Sequence, residues 1–132
     1  LNGSGGDDII GGGDGADVVS GGSGTDIILI TGDDTIAGGS QLDFFFFFLL
    51  GNILIQDFEP NTDILVFDSY LTPYRDLNTY YSQITRQEFT STGLVTQLNG
   101  GVSITLVGLH PGDNFGVMFY NNSIAAVEGL IG

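Results

Sequence analysis

Gly12-Gly-Asp-Gly-Ala-Asp17-Val-Val19-Ser20, followed without a gap by Gly21-Gly-Ser-Gly-Thr-Asp26-Ile-Ile28-Leu29, is the stretch that decides the fold. Each nonamer places glycine early, aspartate sixth and an aliphatic residue eighth. Outward from these, Asn2-Gly-Ser-Gly-Gly-Asp7-Asp-Ile9-Ile10 precedes them across a spare Gly11. A copy one residue short follows, Ile30-Thr-Gly-Asp-Asp34-Thr-Ile36-Ala37. A fifth unit, Gly38-Gly-Ser-Gln-Leu-Asp43-Phe-Phe45-Phe46, carries Gln41 where glycine is expected. Five tandem units of one period describe a repeat architecture, in which no unit buries its apolar residue alone.

A glycine-rich hexamer bends the chain, and the remaining three residues form a short strand with one side chain turned inward. Ile9, Val19, Ile28, Ile36 and Phe45 are the expected inward residues. Two nonamers make one coil, so each unit stacks on the unit two further along. Asp7 then lies near Asp26, Asp17 near Asp34, and Asp26 near Asp43. At a strand spacing of ~4.8 Å, two such carboxylates repel by about 1 kcal/mol even at the dielectric of water. A cation between them reverses the sign.

Asp7, Asp17, Asp26, Asp34 and Asp43 are therefore the candidate metal ligands, joined by the carbonyls of Gly3, Gly5, Gly12, Gly22 and Gly24. Asp14 could add a ligand, or serve as a solvated turn carboxylate, and the same holds for Asp33. Carboxylates and carbonyls together suit Ca²⁺, which takes ~6–8 oxygens in flexible geometry, better than Mg²⁺ with its strict octahedron. Transition metals lack ligands, since the chain has no cysteine and one histidine, His110.

The charge balance agrees. Sixteen acidic residues stand against Arg75 and Arg86, for a formal net charge of −14. Eight of the acids precede residue 44, where there is no basic residue to pair with them. Such a chain is repelled by nucleic acid and by an anionic membrane. The longest apolar run, Phe44 to Leu50, is far below the ~18 residues that span a bilayer. Without cysteine no disulfide framework exists.

The units resemble the GGxGxDxUx nonapeptide of the RTX, or haemolysin-type calcium-binding, repeat family. Asp57-Phe-Glu-Pro60-Asn-Thr-Asp63-Ile-Leu-Val-Phe67 resembles the stretch that closes such rolls, and residues 94 to 115 resemble their final strands. The resemblance implies an all-β fold: a parallel β-roll over residues 1–50, capped by a carboxyl-terminal β-sandwich-like region over residues 51–132, the two packed as one continuous unit. It further implies Ca²⁺ as cofactor, export through a type I secretion apparatus guided by an uncleaved carboxyl-terminal signal, and a secreted or cell-surface location. The absence of an amino-terminal signal peptide pattern agrees with that route.

Beyond the repeats, residues 53–58, 63–67, 94–98, 102–107, 115–120 and 123–127 read as strands, with a turn at Glu59-Pro60-Asn61-Thr62 fixed by Asp57 and Asp63. Residues 70–92, rich in tyrosine around Pro73, are expected to hold a short helix or a long loop. In Phe44 to Phe48 successive side chains face opposite sides, so both faces need covering. That strand lies inside a two-layer core, or presents one face to another subunit of a homo-oligomer or filament. HExxH and GxSxG motifs are missing and one histidine allows little general-base chemistry, so no catalysis is expected. Two functions follow: a calcium-stiffened building block of an extracellular filament, sheath or surface layer, or the folding and export module of a larger secreted hydrolase or toxin.

Overall fold

The computed structural model describes residues 2–13, 15–49, 51–68, 74, 76–113 and 115–120. The repeats form strands β1 (Ile9–Gly11), β2 (Val18–Ser20), β3 (Ile27–Thr31), β4 (Thr35–Ala37) and β5 (Phe44–Leu49). They continue into β6 (Asn52–Ile55) and β7 (Ile64–Asp68). A helix α1 (Leu77–Gln83) then leads to β8 (Ile84–Phe89), β9 (Gly93–Leu98), β10 (Val102–Val107) and β11 (Gly116–Tyr120).

Odd and even strands separate. One sheet has the order β1-β3-β5-β7-β11 and is parallel throughout. The other has the order β2-β4-β6-β10-β9-β8, parallel as far as β10 and antiparallel across the β8–β9–β10 meander. The chain therefore crosses from sheet to sheet at each turn, which is a parallel β-roll. Its pairing register joins Ile9 to Ile27 and Val18 to Thr35, two units along in each case. The carboxyl-terminal strands extend these two sheets: β10 takes the place beside β6 that the coil after β7 would fill, and β11 sits beside β7.

Between the sheets lies one apolar core that runs from Ile10, Val19, Ile28, Ile36 and Phe45 through Ile55, Leu65 and Phe67 to Ile104 and Leu106. Phe67 ties the later elements in, with its ring centroid 4.7 Å from Phe47, 5.0 Å from Tyr74 and 5.1 Å from Tyr80 on α1. Each buried aromatic of this kind contributes about 2–3 kcal/mol by area alone. Asp76 caps α1, its side chain accepting from the Thr79 amide at 2.8 Å while Thr79 Oγ1 accepts from the Asp76 amide.

Two sequence expectations change here, and one open choice is resolved. In the first unit the inward residue is Ile10, whereas Ile9 is 45 % exposed, so the frame of that unit starts at Gly3 and Gly11 is its ninth residue. Residues 84–89 form a strand instead of helix or loop; their polar pattern reflects an edge position, exposed from Thr85 to Phe89. Finally, of the two readings of Phe44–Phe48 the structure agrees with the strand inside a core. Phe45 and Phe47 enter the central core, while Phe44, Phe46 and Phe48 pack with Ile27 and Val66 in a second cluster, none more than 9 % exposed. The strand expected at residues 123–127 lies outside the described residues, as do Tyr70 and Pro73.

The second and fourth positions of the units take left-handed backbone. Ser4, Gly13, Gly22 and Gly39 fill the second with φ between +69° and +90°, and Gly6, Gly15, Gly24 and Gln41 fill the fourth with φ between +73° and +103°. Glycine adopts this conformation without penalty, other residues at a cost of about 1 kcal/mol. Replacing Gln41 by glycine should accordingly raise the melting temperature of the calcium-loaded protein by about 2–4 °C, read by differential scanning calorimetry. Gly39→Ala should lower it, because a methyl group there collides with the Gly22 carbonyl.

Candidate metal centre

Strand pairing stacks the turns that precede the strands, and the sixth residue of each unit meets its counterpart one coil away. The Asp8 amide donates to Asp26 Oδ1 at 2.9 Å, the Asp26 amide to Asp43 Oδ1 at 3.0 Å, and the Asp43 amide to Asp63 Oδ1 at 3.0 Å. On the opposite flank the Asp17 amide donates to Asp34 Oδ1 at 3.1 Å. Asp26, Asp34, Asp43 and Asp63 thus each spend one oxygen holding the coil before them.

What becomes of the second oxygen separates these residues into two kinds. Asp34 Oδ2 accepts from the Thr31 amide and Asp63 Oδ2 from the Glu59 amide, so both ladders end in a satisfied carboxylate. Oδ2 of Asp8, Asp17, Asp26 and Asp43 is buried and accepts no hydrogen bond. A buried carboxylate oxygen without donor or cation costs several kcal/mol.

These four oxygens face the glycine that opens their own unit. A methyl group on Gly3, Gly12, Gly21 or Gly38 would stand 2.5–2.7 Å from Oδ2 of Asp8, Asp17, Asp26 or Asp43 respectively. At Gly3 the same point lies 2.7 Å from the Gly21 carbonyl, and at Gly21 it lies 2.6 Å from the Gly38 carbonyl. Carboxylate and carbonyl oxygens from successive coils therefore converge on one small space that only glycine leaves open. Among the described residues no three acidic, histidine or cysteine side chains gather at one place. The donor set is a carboxylate with backbone carbonyls, a hard-oxygen environment that fits calcium.

Electrostatics point the same way. Burial pushes the Asp43 carboxyl up from 3.8 to about 8, aided by the charges of Asp63, Asp26 and Asp57, and overcoming the lowering effect of the Asp26 amide. Burial raises Asp63 to about 6 and raises Asp26 too. Arg86, the one arginine among the described residues, pairs with Glu88 at the surface, so no described arginine reaches these ladders.

Of the residues singled out from sequence, Asp17, Asp26 and Asp43 occupy the ladders with a buried free oxygen. Asp34 ends its ladder. Asp7 is displaced: it is exposed, its Oδ1 accepts from the Thr25 amide at 2.9 Å, and Asp8 takes the place assigned to it. Of the glycines, Gly3 and Gly12 abut the free oxygens, Gly22 and Gly24 lie against the Ser4 and Gly6 carbonyls, and Gly5 sits near Ser23. Asp14 lies outside the described residues. Asp33 accepts from the Asn52 amide at 2.7 Å. Sequence reasoning missed Asp8, and missed that Asp63 tops the longer ladder. Asp63-Ile-Leu65 repeats the sixth-to-eighth pattern of Asp26-Ile-Ile28 and could have revealed it. Asp57 holds no turn of its own; it accepts from the Gly38 and Gly39 amides and fixes the start of the fifth unit.

The family model of the RTX calcium-binding nonapeptide repeat matches residues 1–28 and 31–46, in four copies. No curated protein and no solved structure matches the chain.

Two outcomes are expected. Asp8→Asn should weaken calcium binding about tenfold or more in isothermal titration calorimetry, whereas Asp7→Asn should leave it within about twofold. With a chelator present, the raised carboxyls mean that the folded state binds protons the unfolded state does not. Stability is then greatest below about pH 4 and falls as pH rises through 6 and 8, so in chelator the strand signal by circular dichroism, lacking at pH 8, should grow as the pH is lowered to 5. With saturating calcium the trend should reverse, because protons compete for the carboxylates.

Proposed function

Since the chain carries a tandem of RTX calcium-binding nonapeptide repeats, we propose that it is the calcium-triggered folding module of a protein exported by a type I apparatus, ordered only where calcium is abundant. RTX nonapeptide repeats bind calcium ions. The observation that carries the reading is the set of four buried aspartate oxygens without a donor. Asp8, Asp17, Asp26 and Asp43 supply carboxylate ligands, and the carbonyls of Gly21 and Gly38 complete the sites between coils.

The energetics give the module its switch. Without calcium, folding must bury those oxygens unpaired and stack acidic turns in a chain of net charge −14. Calcium binds the folded cage and has no equivalent site in the unfolded chain, so binding free energy appears as folding free energy. An unfolded chain is the form that a narrow export channel accepts, and calcium-rich surroundings are met on its far side. The role is non-catalytic, with His110 serving a turn in which its amide donates to Asp113 Oδ2 at 2.8 Å. A building block of a filament, sheath or surface layer is the weaker reading, because the phenylalanine strand on which it drew is buried.

Far-ultraviolet circular dichroism and the hydrodynamic radius, measured in calcium and in chelator, test this. An expanded chain without strand signal in chelator, which compacts and gains strand in millimolar calcium, is the expected result; a strand signal unchanged by calcium removal would refute it.

A further inference from the structure

β8 closes the six-stranded sheet, and nothing pairs with its outer edge among the described residues. The Thr90 amide donates to the Gly93 carbonyl at 2.8 Å, and Glu88 lies opposite Val95 and Arg86 opposite Gln97. By antiparallel alternation the main-chain groups of Arg86 and Glu88 turn toward β9, and those of Gln87 and Phe89 turn outward. Beside this edge sit Leu77, Tyr81 and Phe89, which are 45 %, 58 % and 44 % exposed. They border a cleft of about 340 Å³ floored by Tyr80 and Leu94. An open edge with apolar side chains next to it is a pairing surface.

We propose that β8 pairs with β8 of a second copy, antiparallel, about a two-fold axis through Gln87. The charges select this register. Centred on Gln87, Arg86 of each copy stands opposite Glu88 of the other, in the close non-hydrogen-bonded positions where Cα atoms are ~4.5 Å apart. Gln87 faces its own counterpart with main-chain groups already turned outward. Moving the axis to residue 86 sets arginine against arginine, moving it to residue 88 sets glutamate against glutamate, and a parallel in-register pair puts like charges together. Arg86 and Glu88 are 3.0 Å apart within one chain and exposed, with side chains 64 % and 46 % accessible, so both are free to re-pair across the axis. The same two charges deter other strands, and partner and register are thereby chosen together. Leu77 and Tyr81 of each copy flank the added strand. Self-association belongs to the calcium-loaded chain, in which bound cations offset the repulsion between two acidic molecules.

Sedimentation equilibrium of the calcium-loaded chain, from micromolar to near-millimolar concentration, tests the pairing. A concentration-dependent dimer is expected, weakened about tenfold by R86E alone and by E88R alone. An equimolar mixture of the two variants should dimerise again, since each then supplies the charge the other lacks. Circular dichroism of both variants in calcium should match the parent chain. A chain monomeric at every concentration, a dimer indifferent to R86E, or a mixture no tighter than its components would each overturn the proposal.

Discussion

The aspartates in the middle of the roll serve two coils at once. In Asp26 and Asp43, one oxygen receives the amide of the aspartate in the preceding coil, and the other turns into the glycine bend of its own unit. The first contact sets the register between coils and the second leaves charge where water cannot reach it. A carboxylate used this way cannot be replaced by a residue that only donates or only fills space. The glycine opposite cannot acquire a side chain either, because the oxygen already occupies that volume. Turn composition, spacing and acidity all trace back to this one contact.

The ladders also explain how the roll ends. Asp63 receives two amides and Asp34 receives two, so at the carboxyl-terminal end of each flank the protein itself supplies the donors that the earlier rungs lack. The following place on the shorter flank belongs to β6, whose Ile53 and Ile55 are core residues. One flank of the molecule is thus a four-rung acidic ladder and the other a two-rung one, although the sheets between them share a single core. The β8–β9–β10 meander and α1 then build outward from β6 and Phe67 and add Tyr80, Leu94, Ile104 and Leu106 to that core.

Much of this was legible in the chain itself, because a nine-residue period with fixed glycine, aspartate and aliphatic places admits one coil geometry. The strands of the repeats, their parallel pairing two units apart and four of the six ladder aspartates followed from it. The first unit misled for a local reason: Asp7-Asp8 and Ile9-Ile10 are doublets, so two frames one residue apart score alike. Only contiguity decides, since starting at Gly3 removes the spare Gly11. The phenylalanine run hid its partners, as identical residues on both faces say nothing of what covers each. β8 escaped notice because an edge strand exposed on both sides carries no alternation to read.

Because successive strands belong to opposite sheets, the position of any residue in the roll depends on whether an odd or even number of units precedes it. Coil partners lie seventeen to twenty residues apart, as Val18 with Thr35 and Phe44 with Ile64. Losing or duplicating a whole coil would leave every later strand on its own sheet and every aspartate on its own flank. Losing the single unit between Asp43 and Asp63 would send all that follows to the wrong side, carrying Asp63 away from Asp43 and the terminal meander onto the phenylalanine sheet. Between the fifth unit and β7 the chain can therefore change only by pairs of units if the tail is to keep its place, a parity rule imposed by geometry.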